Sequence, residues 1–358
     1  MSMRPRALAS RRTSSSARRR PIAALFAVAV LSCIASAAFA QGDLNVICGA
    51  PLAWCEAAAA AFTHETGITV RLAQKDAGEA LAQIVAERAD PKHDLWYSGS
   101  GDLHLRAAAL GLTEEYRSAL LPELRDWAAR QAEQSGWHTV GIHASVLGIG
   151  YNVEALAKKR LPEPKCWADL ARPDYRGQVR MAHPGAVNAA YAAIATLVQI
   201  FGEERAFELL AAVHANGGSY PRTGAGAMRA AARGEASIAV TFLHDGLAEI
   251  ANGFPIKVVV PCEGTGYEIG SMSIIKGARN LASAKKFYDW ALTPAAQGIG
   301  VETKHFELPS NRATPLPPGM PPIGDIKLIA YDFARYDSPD ERSRLVGRWE
   351  RDVQGLPR

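Results

Sequence analysis

Several short signatures that announce an enzyme are missing from this 358-residue sequence. It contains no Gly-x-Ser-x-Gly elbow, no phosphate-loop lysine motif and no His-Glu-x-x-His, so the common marks of α/β hydrolases, P-loop nucleotide enzymes and zinc peptidases are absent. Cysteine is scarce, five residues in all, and no Cys-x-x-Cys occurs, which removes the close pairs a structural zinc site needs. None of the ten tyrosines is adjacent to another. A basic surface is also lacking. The formal net charge is +4, but seven arginines and no acid fall within residues 1–20, so the rest of the chain holds slightly more acid than base. A nucleic-acid partner, which needs a basic patch to neutralise phosphates, has no compositional support.

What is present is an ordinary globular composition, 48% hydrophobic and 21% charged, which excludes a disordered, collagen-like or multi-span membrane chain. The length suits two domains of roughly 150 residues each. Residues 1–40 read as a signal peptide: an arginine-rich start, the uncharged run Pro21 to Ala40, and the small residues Ala38 and Ala40 just before Gln41. The alternatives are a membrane anchor over the same run and a lipid anchor on Cys33, whose preceding Val30-Leu31-Ser32 fits a lipobox poorly. Arg11-Arg12 lacks the apolar pair that twin-arginine export expects after it. The mature chain is expected to begin near Gln41 and to work in the periplasm. Four cysteines then remain, an even number that an oxidising space permits to pair. Of the three pairings, we take Cys48 with Cys55, across a strand-to-helix turn, and Cys166 with Cys262. The second closes a long loop, worth on the order of 4 to 5 kcal/mol in the chain-entropy model.

From Leu44 onward strands and helices alternate. Leu44 to Ile47, Ile68 to Leu72 and Asp94 to Tyr97 read as strands; Trp54 to Glu65, closed by Gly67, and Gly78 to Ala89 read as helices. The second half continues with strands at Gln178 to Ala182, Ala236 to Phe242, Val258 to Val260 and Tyr267 to Ile275. Its helices are expected at Asn188 to Phe201, Glu203 to Ala215, Ala225 to Arg233 and Ala282 to Leu292. The pattern predicts an α/β fold of two mainly parallel sheets flanked by helices, with ligands at the carboxyl ends of the strands. There lies the glycine-rich turn Ser98-Gly99-Ser100-Gly101, with Trp96 and Tyr97 just before it. The seven tryptophans are scattered and read as core, and His138 and His143 as structural or solvated.

Several dispersed segments then carry a resemblance. They include Glu65-Thr66-Gly67-Ile68-Thr69-Val70, Ser100-Gly101-Asp102-Leu103-His104-Leu105, Leu147-Gly148-Ile149-Gly150-Tyr151-Asn152 and Cys166-Trp167-Ala168-Asp169-Leu170. Phe242-Leu243-His244-Asp245, Glu263 to Gly270 and Leu308-Pro309-Ser310-Asn311 follow in order. The chain resembles the extracytoplasmic solute-binding proteins of ABC importers, in the branch related to ferric-ion and hexose-phosphate binders. The resemblance implies the two-lobed type II periplasmic binding protein fold with its ligand cleft at the hinge. Lobe 1 is expected from residues 41–147 plus 267–330 and lobe 2 from 148–266 plus 331–358. It also implies no catalysis, no cofactor, a monomer, a small-molecule ligand, and permease and ATPase partners in the inner membrane. Crossovers are expected near Gly148 to Asn152 and Pro261 to Gly266, where glycines supply torsional freedom.

Ferric binders of this branch hold the metal with adjacent tyrosines, which this chain lacks, so no metal site is expected. His244, Asp245 and Glu268 match positions that hold sugar hydroxyls in the hexose-phosphate binders, and carboxylates accept hydroxyl hydrogen bonds well. The competing reading is that His244-Asp245 caps the next helix. The phosphate end departs from the pattern. Lys75-Asp76-Ala77-Gly78 and Pro184-Gly185-Ala186-Val187-Asn188 lack the hydroxyls that surround a phosphate, and Asp76 sets a negative charge there. Thr223-Gly224 is kept, beside Arg222; Lys75, Arg222 and helix-start amides could still hold an anion. The expected ligand set is Asp76, Ala77, Ser98, Ser100, Asn188, Thr223, His244, Asp245 and Glu268. The expected solute is sugar-like or polyol-like. The alternatives are an organic phosphate, a ferric ion, or a secreted hydrolase on the same scaffold.

Overall fold

Strand β1 (Leu44–Cys48) is apolar at nearly every position because both of its faces are covered, the pattern of a central strand in a layered α/β fold. The computed structural model describes residues 43–357 apart from Gly218, so the expected signal peptide and Cys33 lie outside the described residues. Parallel neighbours β2 (Val70–Gln74) and β3 (Leu95–Ser100) flank β1. Helix Leu52–Thr66 joins β1 to β2 and ends where Gly67, at φ +73°, turns left-handed and donates its N–H to the Thr63 carbonyl at 2.8 Å. That cap uses the residues just after the helix, so β2 starts at Val70 rather than at Ile68.

The sequence reading places His138 and His143 on a strand but not its full extent: β4 (Val140–Asn152) is a single strand of 13 residues. Its first half pairs antiparallel with β8 (Tyr267–Ile274) and, at His143 and Ala144, with the short β9 (Leu308–Pro309). From Leu147 it pairs instead with β6 (Ile238–Phe242), and from Ile149 also with β7 (Ile256–Val259), both antiparallel. The order is therefore β2-β1-β3-β8-β4-β6-β5, with β5 (Val179–Met181) parallel to β6. Both sheets are mixed: parallel pairing is kept among β1, β2 and β3 and between β5 and β6. The strands that carry the chain from one sheet to the other, β4 and β8, run against their neighbours.

The connections around this seam are tied closely. The Leu147 N–H donates to the Gly266 carbonyl at 3.1 Å and the Thr265 hydroxyl to the Leu147 carbonyl at 2.9 Å. Gly148 serves packing more than freedom, since a Cβ there would lie 2.3 Å from the Leu243 side chain. Gly264, at φ +100°, does need its missing side chain. Helices Asn188–Phe201 and Glu203–Ala215 fall where expected and carry helix Pro339–Trp349 against them, through Arg344 and Arg348 on Glu203. Six of the seven tryptophans are core, with Trp96, Trp167 and Trp349 almost wholly buried, and Trp137 is half-buried.

Both expected disulfides form. Cys48–Cys55 joins the end of β1 to the first turn of the next helix, and Cys166–Cys262 bridges a separation of 96 residues. The second pins the β7–β8 connection, which Trp167 also holds through its ring N–H on the Gly264 carbonyl at 2.9 Å and its backbone N–H on Glu263 at 2.8 Å. Cys166→Ser with Cys262→Ser is expected to lower stability by about 2 to 5 kcal/mol. Denaturant unfolding of the oxidised protein and the variant checks this; equal midpoints would show that the neighbouring hydrogen bonds alone hold the connection.

Candidate functional site

Two cavities meet at Asn188 and Glu268, where the carboxyl ends of the strands face one another across the seam. The larger, about 800 Å³, is walled by the starts of helices Ala77–Ala86 and Gly101–Ala109, by Tyr267 to Ile269 of β8, and by residues 328–342. The smaller, about 520 Å³, is lined by Ser145, Arg222, Gly224, Phe242, His244 and Asp245. Ser145 stands opposite Glu268 in the β4–β8 ladder, so the seam itself forms the floor.

Of the expected ligand residues, Asp76, Ala77, Ser100, Asn188 and Glu268 line the larger cavity and His244 and Asp245 the smaller. Asp76 is the N-cap of its helix and accepts the Glu79 N–H at 2.8 Å, so its carboxylate already occupies one of the amides a phosphate would use. Ser100 donates to the Asp102 carboxylate. The turn brings this helix start hard against β8, where a Cβ on Gly101 would lie 2.8 Å from the Ile269 carbonyl.

Two expected residues do not face the cleft. Ser98 has a left-handed backbone, φ +62°, which turns its side chain inward; its hydroxyl lies 3.2 Å from His143 Nε2. Thr223 folds back over Gly226, leaving its neighbours Arg222 and Gly224 on the wall. Trp96 and Tyr97 are also core, Trp96 stacking on His104 at 3.7 Å, and the tryptophan that lines the larger cavity is Trp127. His138 is structural, its Nδ1 3.0 Å from the Thr113 carbonyl. His143 lines a separate cavity of about 20 Å³ with Trp54, Glu307 and Thr314, room for one water, and each of the four leaves a buried polar atom without a protein partner there.

His244 and Asp245 do not cap the helix Leu243–Ala251. The N-cap is Phe242, which makes no side-chain bond, and Asp245 accepts from the Thr241 hydroxyl. His244 stacks on Phe242 at 5.5 Å, with its Nδ1 buried and unpartnered.

The residues missed from sequence are Asp102, Asp337, Arg342 and a group of aromatic rings. Burial, reinforced by the Asp102 charge, pushes Glu268 up to about 7 and Asp337 up to about 8, while Arg342 offsets part of each shift. Arg342 donates to Asn188 Oδ1 at 2.8 Å and lies 4.6 Å over the Tyr191 ring. Tertiary folding also gathers Tyr191, Tyr267 and Tyr331 on one cavity wall, although no two are adjacent in sequence. Burial raises all three phenols above their ordinary range. Among the described residues, no three His, Cys, Asp or Glu donors of the cleft converge to metal-binding distance.

A cleft of this size, floored by the strand that two sheets share and walled by charged and aromatic side chains, defines a ligand-binding protein of the two-lobed type II periplasmic class. The sequence pattern described as bacterial extracellular solute-binding protein matches residues 90–336, and the chain belongs to that family. A Haemophilus influenzae protein of uncharacterised function is 38% identical over 323 residues, 90% of this chain and 93% of that one. The structure of the periplasmic binding protein AfuA from Actinobacillus pleuropneumoniae, with exogenous fructose-6-phosphate bound, is 36% identical. It covers 88% of this chain and 99% of its own, with a TM-score of 0.72. The periplasmic binding protein P5PA is 31% identical over 87% of this chain and 99% of its own, with a TM-score of 0.69. Membership implies a small-molecule ligand and an ABC permease as partner.

The carboxylate shifts set a pH dependence. A carboxyl whose folded pKa is raised costs stability at pH values above that folded pKa. The cost fades as pH falls towards its ordinary value near 4. Asp337→Asn is therefore expected to raise the melting temperature of the unliganded protein by a few degrees at pH 8.5, with little effect at pH 4.5. Thermal unfolding of both proteins across that range checks it, the difference between them cancelling the opposite contribution of the buried histidines. A variant less stable at pH 8.5 would contradict the assignment.

Proposed function

We propose that this is the periplasmic, non-enzymatic substrate-binding subunit of an ABC importer, acting as a monomer on a small, polar, hydroxyl-bearing solute of the sugar or polyol kind. In this reading residues 41–147 with 267–330 and residues 148–266 with 331–358 are the two lobes, and the solute is held between them until it is handed to the permease. The observation that carries it is the wall: Asp102, Asp245, Glu268 and Asp337 offer acceptors for hydroxyl groups, and Tyr267, Tyr331 and Phe333 a face for the apolar side of a ring. Hydrolysis is disfavoured because Ser100 donates to Asp102, and the Ser98–His143 contact lies behind the cleft.

A second reading, an organic phosphate, is favoured by the likeness to the fructose-6-phosphate-bound structure and by Arg130 and Arg342 on the wall. Against it stands Asp76, negative and already bonded to the helix-start amide. Calorimetric titration with fructose 6-phosphate and fructose separates the two. Weak binding of the phosphate is expected, and Asp76→Ser with Ala77→Ser should tighten it about 10-fold or more, since serine still caps the helix and adds hydroxyl donors. Tight binding of the phosphate but not of fructose by the unaltered protein would establish the second reading.

A further inference from the structure

We infer that the solute carries a protonated amine, seated between the carboxylates of Glu268 and Asp337 and the rings of Tyr267, Tyr331 and Phe333. The inference rests on the reading that the cleft takes a small hydroxyl-bearing solute and adds the charge that solute brings.

The larger cavity is walled by four carboxylates, Asp76, Asp102, Glu268 and Asp337, against the two guanidinium groups of Arg130 and Arg342. Two of the four acids have local donors: the Glu79 N–H for Asp76 and the Ser100 hydroxyl for Asp102. Glu268 and Asp337 differ. Only burial and the charges around them act on their carboxylates, and no side chain or amide among the described residues hydrogen-bonds them. The two arginines are engaged elsewhere, Arg342 with Asn188 and the Tyr191 ring and Arg130 with the Tyr267 hydroxyl. The cavity therefore sets four acids against two bases and holds acceptors in excess.

A hydroxyl group can donate to these carboxylates but leaves their charges facing one another. An ammonium brings three donors and a positive charge towards the excess of acid, and hydrogen bonds between ionised partners are the strong ones. The aromatic wall fits the same group. Phe333 lies 5.3 Å from Tyr267, nearly perpendicular to it at 83°, and 4.8 Å from Tyr331, tilted by 47°, so the rings form an angled aromatic wall. Such faces attract alkylammonium groups through the ring quadrupole. Because Glu268 and Asp337 share their surroundings with Asp102, a bound ammonium would favour their ionised forms and release protons.

Titration calorimetry with matched pairs tests this: glucosamine against glucose, 1-amino-1-deoxysorbitol against sorbitol, and N-acetylglucosamine as the neutral control. Binding of at least one amine about 10-fold or more tighter than its parent is expected, with the gain lost on acetylation and protons released to the buffer. In the double variant Glu268→Gln, Asp337→Asn, the amine should fall to the affinity of its parent while the melting temperature stays at or above that of the unaltered protein. Parents that bind as tightly as their amines overturn this inference and leave the hydroxyl-solute reading standing. Binding of fructose 6-phosphate alone overturns both, and failure of every amine to bind below millimolar concentration overturns this inference.

Discussion

Strand β4 belongs to two sheets, and the position of the cleft follows from that sharing. Its partners change between Val146, opposite Tyr267 in β8, and Leu147, opposite Phe242 in β6. β8 and β6 lie on opposite edges of β4, and one pairing ends where the other begins, so the two sheets separate at this step and the space between their helix-covered edges becomes the cavity. Glu268 and Ser145 sit at the divergence, which is why the carboxylate is enclosed by protein and yet faces the cavity. The Cys166–Cys262 bridge and the Trp167–Gly264 bond fix the neighbouring connection in place. The segment around Leu328 is tied to the same connection through the Thr265 N–H on the Lys327 carbonyl and the Ile329 N–H on the Thr265 carbonyl.

Electrostatics then decides what such a cleft can hold. A dianion would meet Asp76 at the helix start and Asp102 on the wall, and would have to hold Glu268 and Asp337 in their protonated forms. In a partly dry site, like charges a few ångströms apart repel by several kcal/mol. Arg130 and Arg342 counter this only in part, since four acids line the same cavity. Likeness of fold to a sugar-phosphate-bound relative thus coexists with a wall that holds more acid than base.

Much of this was legible in the sequence, and the reasons for success and failure are physical. Residues that follow a strand directly, such as Ser100, His244 and Asp245, are bound to lie at the strand ends, and most reach the cleft. The exception, Ser98, was lost to one backbone torsion in the left-handed region that no residue pattern announces. The helices at Asn188–Phe201 and Glu203–Ala215 could be bounded because Gly202, at φ +80°, separates two strongly periodic runs. The full length of β4 was hidden because its two halves have different partners and different burial patterns. Tyr331, Phe333, Asp337 and Arg342 were invisible for another reason: they come from a late return of the chain, about 60 residues beyond β8, and only tertiary packing on helix Asn188–Phe201 brings them to the wall. The disulfides were readable because an exported chain with four cysteines leaves few ways to pair them.

The central claim is that the cleft selects a hydroxyl-bearing organic solute and not a phosphate or a ferric ion. Native mass spectrometry of the protein taken directly from the periplasm, followed by accurate-mass analysis of what it releases, addresses this with no assumed ligand. One stoichiometric polyhydroxylated compound without phosphorus is the expected result. Release of a phosphorylated compound, or of iron in equimolar amount, would contradict the account.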